Sequence, residues 1–229
     1  MWLLARFQPV SAFSLRSSMT TSSGGRTNLV PSMYVVKLAL IDAAFRVGED
    51  GAETFTLVKD LTIRFEAPKV AVVSNSFIKI RREPKDKAAG PAFISSVGFR
   101  EFCYYQGDLI VAIDAEALDA SEVDRLRYLL PHINYFGKRG SFFQLLEIDT
   151  TEHLPPSFSY VMGDDRDRVG RDVTIQYLDD VGPGATFDNI NTYSNASAKI
   201  GRDRVLVAVA LPYRRVASSQ GYTQYERTA

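Results

Sequence analysis

Leu129–Gln144 reads LLPHINYFGKRGSFFQ, and its parts succeed one another in a telling order. A helix-compatible run, Ser121–Leu130, meets Pro131 and has to stop there, because the proline disfavours helical backbone before it. An aromatic pair follows, then the loop Gly137-Lys138-Arg139-Gly140-Ser141, then Phe142–Ile148, a strand by pattern. The helix has its own start signals: Asp119 and Ser121 are candidate N-caps, and Glu122 and Asp124 suit the positive end of its dipole. Val123, Leu126 and Leu130, with Tyr128, supply an apolar side.

Upstream, Phe99–Tyr105 and Asp108–Asp114 are two strands around Gly107, and DLIVAID is a core-strand candidate. Met33–Leu40 (MYVVKLAL) is rich in β-branched residues and predicts a strand, and Thr54–Phe65 predicts an extended segment or hairpin arm. After Pro68, the spacing of Val70, Val73, Phe77 and Ile80 fits a helix as well as a strand. Arg81–Pro91 is a charged loop broken by Pro and Gly. Downstream, Val173–Leu178 and Val205–Leu211 are the better strands of a part, 151–229, that is otherwise weakly patterned. Strands that do not alternate regularly with helices predict an α+β fold with an antiparallel sheet.

The loop carries the chemistry. Its two glycines allow close backbone approach, its N–H groups suit an anion, and Lys138 and Arg139 add positive charge. Arg139 suits bidentate contact with a phosphate, Ser141 offers a further hydrogen bond, and Tyr135, Phe136, Phe142 or Phe143 suit stacking of an unpaired base. The same residues also fit an ordinary hairpin turn with its aromatics in the core. The spacing is not that of a nucleotide P-loop.

Composition sets limits. The 229 residues, 45% apolar and 24% charged, suit one domain with a good core, and the formal net charge is +0. A nucleic-acid role therefore needs a local basic patch. Lys79, Arg81, Arg82, Lys85 and Lys87 form one, interrupted by Glu83 and Asp86. The lone Cys103 excludes an intrachain disulfide and a cysteine-based zinc site, and it suits a reducing cytoplasm; no metal or other cofactor is expected. No apolar run has the length of a membrane span. Asp164-Asp165-Arg166-Asp167 lacks EF-hand spacing to Gly170 and predicts a self-paired turn. Residues 1–32 hold Arg6, Arg16 and Arg26, many serines and no acid, the look of a transit peptide. They are expected to be a disordered or artefactual extension, with Met19 and Met33 as alternative starts, ahead of one domain over 33–229.

The run INYFGKRGS, between a short helix and a strand, resembles the glycine-rich motif of CRISPR-associated RAMP proteins. Its mid-chain position is similar to that of the fifth Cas family; in the sixth, the guide-processing endonucleases, the loop lies near the C-terminus. MYVVKLAL followed by Ala44-Phe45-Arg46 resembles that family's opening strand, and DRVLVAVALPYRRV its closing one. The resemblance covers residues 33 to about 150. It implies a ferredoxin-like (RRM-like) domain with an inserted thumb-like hairpin, placed by position within residues 54–105, and additional C-terminal strands. It implies a subunit of a type I effector complex that holds the 5′ handle of the guide RNA and touches the backbone and large subunits. Gly137, Lys138, Arg139, Gly140 and Ser141 would hold phosphates, Arg46, Lys79, Arg81 and Arg82 would extend the track, and Tyr135 or Phe136 would stack a base or brace the loop. One branch of that family cleaves precursor RNA with Tyr, Lys and His. Tyr135, Lys138 and His132 are those residue types, but their order and spacing differ, so no catalysis is expected. A ferredoxin-like module for a protein partner is the third reading.

Overall fold

The computed structural model describes residues 1–20, 24–84, 92–163, 172–191 and 193–228, with Arg82 described by its backbone alone. Lys85, Lys87 and the acidic run at 164–167 lie outside the described residues.

The chain opens with β1 (Trp2–Pro9) and the short β2 (Leu15–Arg16), β3 (Gly24–Gly25) and β4 (Thr27–Asn28). Two helices follow, α1 (Met33–Arg46) and α2 (Gly51–Val58), then β5 (Ile63–Glu66), β6 (Val70–Arg82), β7 (Ile94–Gln106) and β8 (Leu109–Asp114). After α3 (Ala120–Leu129) and a 3-10 turn at Leu130–His132 come β9 (Phe143–Thr151), β10 (Tyr160–Val161) and β11 (Thr174–Val181). The chain ends with α4 (Phe187–Ile190), β12 (Arg204–Leu211), β13 (Tyr213–Ser218) and β14 (Tyr222–Arg227).

The architecture is α+β, with almost all strand pairs antiparallel. One sheet has the order β5-β8-β1-β9, fed by a β-α-β-β-α-β succession in which α1 follows β1 and α3 follows β8. Between β5 and β8 the chain leaves this sheet as a long hairpin, β6 paired with β7 from Val70↔Gln106 to Arg82↔Ile94. The C-terminal strands return to it: β13-β14-β6-β7-β3 form a second sheet, with β3 parallel to β7, and β10-β12-β11 form a third.

Residues 1–32 correct the expectation of a detached extension. β1 is an inner strand, hydrogen-bonded to β8 on one side and β9 on the other. Leu3, Ala5 and Phe7 alternate into the core, all at 0% exposure, while Trp2, Leu4 and Arg6 face the other side. On that other side Arg6 pairs with Glu147 at 3.4 Å.

MYVVKLAL is the second correction: it opens α1 and is not a strand. The Ser32 hydroxyl caps the helix by accepting from the Val35 N–H at 3.3 Å. Nine of the residues of α1 are buried, on nearly every side, because the four-stranded sheet's core and β11 both cover it. Even Lys37 is buried, its ammonium donating to Asp180 at 2.7 Å and to the Lys59 carbonyl at 2.8 Å. Thr54–Phe65 likewise divides into most of α2 and β5, the helix capped by Asp50. The expected strands at 99–105, 108–114, 173–178 and 205–211, and the helix behind Asp119, form as β7, β8, β11, β12 and α3. At 70–80 the strand alternative is the one that forms.

Candidate nucleic-acid interface

Asn134–Phe143 closes into a small hairpin. The Phe143 N–H donates to the Asn134 carbonyl at 3.0 Å, Tyr135 bridges Phe142, and the Phe136 N–H donates to Ser141 at 3.2 Å. The Ser141 N–H returns to the Lys138 carbonyl at 3.1 Å, making a turn with Gly140 third (φ 105°), a place that requires left-handed backbone. Gly137 has φ 67° and lies against Val35 of α1, about where a Cβ would reach 3.6 Å.

Below the turn the anchor is aromatic. Phe136 meets Phe7 and Phe143 edge-on, both at 5.1 Å, and Phe143 continues to Phe13 at 5.0 Å. Phe136 is fully buried, so it braces the loop and does not stack a ligand. The Ser141 hydroxyl is buried too, and it is committed to the backbone of Ser14 (3.3 and 3.4 Å) rather than to an incoming phosphate. Above this anchor, Gly137, Lys138, Arg139 and Gly140 are exposed. Among the described residues Lys138 and Arg139 form no ion pair, and the N–H groups of 137–140 form no hydrogen bond. A rigid base thus presents two unneutralised cations and free amide donors, an arrangement suited to phosphate oxygens.

The other predicted residues divide. Arg46 is near the loop but is occupied, pairing with Asp42 at 3.0 Å and donating to the His132 carbonyl. It ties the end of α1 to the 3-10 turn. Lys79 and Arg81 are exposed on the long hairpin, on the same face as Phe77. The base of β7 adjoins the loop's anchor through the Phe13↔Cys103 bridge. Lys79 lies opposite Val97, six residues farther out on β7, roughly 20 Å at 3.4 Å per residue. The structure therefore does not gather these cations around the turn; it sets them out along the hairpin. His132 is exposed with its ring against Tyr128 at 5.3 Å.

Sequence reading missed a groove of about 410 Å³ beside the turn. Val35, Leu38 and Phe45 of α1 line it, Tyr135 and Gly137 bound it on one side, and Phe187, Ile190 and Tyr193 are on the other. Nothing local in the sequence marks it, because its two sides lie some 50 residues apart and meet only in the folded chain.

No known family profile matches the chain. It is 24% identical over 204 residues to the CRISPR-associated protein Cas5 of Archaeoglobus fulgidus, a match covering 86% of this chain and 87% of the relative. A chain of a CRISPR RNA-guided surveillance complex shares the fold, with a TM-score of 0.50 and 15% identity, covering 92% of this chain and 89% of that one. A CRISPR protein from Archaeoglobus fulgidus aligns with 100% of this chain and 92% of its own, at 12% identity and a TM-score of 0.48. Over most of the length of both chains, then, this protein is similar to the Cas5 of Archaeoglobus fulgidus.

Proposed function

We propose that this chain is a non-catalytic subunit of a CRISPR effector complex that holds the 5′ handle of the guide RNA. The observation that carries the proposal is the Gly137–Gly140 turn, with two cations that form no ion pair among the described residues, on a buried aromatic base. Lys138, Arg139 and the amides of Gly137 and Gly140 receive phosphates. Lys79, Arg81 and Arg82 on the hairpin extend the track at a distance, and Arg46 positions the turn. The relative's identity as Cas5 and the fold shared with a surveillance-complex chain support assignment to the same kind of assembly, with backbone and large subunits as partners. The β-α-β-β-α-β succession in the order β5-β8-β1-β9 supports a ferredoxin-like domain, and the β6–β7 hairpin supports a thumb.

A net charge of +0 fits a protein that meets RNA through one patch within a larger particle. The test is binding to a short single-stranded RNA derived from the CRISPR repeat, over a range of salt. K138A/R139A is expected to weaken binding about tenfold and to lower the slope of log K against log salt by about 1 to 2, one unit or less per lost phosphate contact. Unchanged affinity and slope would remove the turn from the interface. Gel analysis of the same RNA is expected to show it intact; metal-independent cutting lost on substitution of Tyr135, Lys138 or His132 would replace this reading with the nuclease one.

A further inference from the structure

We propose that the groove beside the turn takes one unpaired nucleobase, belonging to the RNA whose phosphates rest on Lys138 and Arg139. The inference rests on the function proposed above and adds a subsite to it.

The groove's floor is a stripe on α1. Val35, Leu38 and Phe45 recur at helical spacing; Val35 and Leu38 are half-buried against the core, and Phe45 is exposed. Aromatic rings stand over it. Tyr193 is 97% exposed and Phe45 56%, a large aromatic area open to solvent. Phe45 faces Phe187 at 6.2 Å, and Phe187 continues to Phe55 at 6.3 Å. The Tyr193 N–H donates to the Asn191 side chain at 3.0 Å, and the Ser194 hydroxyl next to it donates to the Asp188 carbonyl. The Tyr193 ring itself is open to water.

Two features favour a base over an apolar protein segment. Gly137, with no Cβ, forms one lip, so the groove runs open to the turn, where the two free cations follow in sequence. Asp42, the acid within the groove, is neutralised by Arg46 at 3.0 Å. Aromatic faces next to unpaired cations are what an unstacked base and its phosphates require, whereas an apolar helix needs the stripe alone.

The test uses the full chain and a fluorescent single-stranded RNA of the repeat sequence, with an abasic residue placed at each position in turn. For the wild-type chain, one abasic position is expected to weaken binding about tenfold, in the range of one lost base–aromatic stack. Y193A is expected to show the same loss on intact RNA, with an unchanged salt slope, and no further loss at that position; Y193F is expected to bind like wild type. Tyr193 is outside the core, so the replacement leaves folding intact. If K138A/R139A weakens binding while Y193A and every abasic RNA bind as wild type does, the base site falls and the turn's role stands. The groove then belongs to a protein partner. If the wild-type chain does not bind, or neither variant changes its affinity, both readings fall.

Discussion

Ser141 and the two cations before it share one turn and do different work. Lys138 and Arg139 look outward and form no ion pair among the described residues, while the Ser141 hydroxyl is closed into the fold against Ser14. S141A is therefore expected to lower stability by about 1 kcal/mol, the usual net worth of a buried hydrogen bond, with RNA affinity unchanged. Thermal melts and binding isotherms on one preparation check both halves; a loss of affinity at full stability would return Ser141 to the phosphate site. The loop's chemical types were legible in the sequence because glycines, cations and aromatics announce themselves by identity. Which of them face out was not. Phe136 and Phe142 are both aromatic neighbours of the loop, yet Phe136 is buried and Phe142 is 47% exposed, an assignment made by Phe7 and Phe143.

At the scale of elements, α1 is held by a charge. Lys37, 1% exposed, binds Asp180 of β11 and the carbonyl of Lys59 at the end of α2, so one ammonium joins three elements. Burial pushes the Asp180 carboxyl above the usual carboxylate range, and Lys37 draws it back. Removing one member of such a pair leaves the other in low dielectric. K37M is expected to cost about 3 kcal/mol in urea unfolding, and K37M/D180L to recover most of it. A K37M cost below about 1 kcal/mol would show that the pair is effectively solvated. The helices differ in how they were encoded. α3 was readable because Asp119 and Glu122 form a capping box and one face alone is apolar. The opening of α1 has the pattern of a strand because a helix covered on nearly all sides has no polar face to reveal its period, and Val35-Val36 then dominates.

In the whole molecule, the first nine residues close the sheet. β1 separates β8 from β9, so without it β9 has no strand to pair with and the core loses Leu3, Ala5 and Phe7. Each such fully buried Leu or Phe contributes about 1.5–3 kcal/mol. A chain started at Met33 is expected to show no cooperative unfolding transition by circular dichroism; a native-like melt would mean that β1 is dispensable. Farther along, Arg204 joins the N-terminal segment to the C-terminal one. It pairs with Asp179, donates to Ser18 at 3.0 Å and lies over the Tyr34 ring at 4.6 Å. By itself the sequence determined the α+β class, the strands β7, β8, β11 and β12, the capped α3 and the cationic glycine turn, because each follows from residue identity and short-range period. Only the tertiary structure decided that residues 1–9 are central, that α1 is a helix, that the hairpin's cations stand apart from the turn, and that Phe45 and Tyr193 face one groove. Those outcomes depend on long-range pairing and on burial from several sides, neither of which leaves a local pattern.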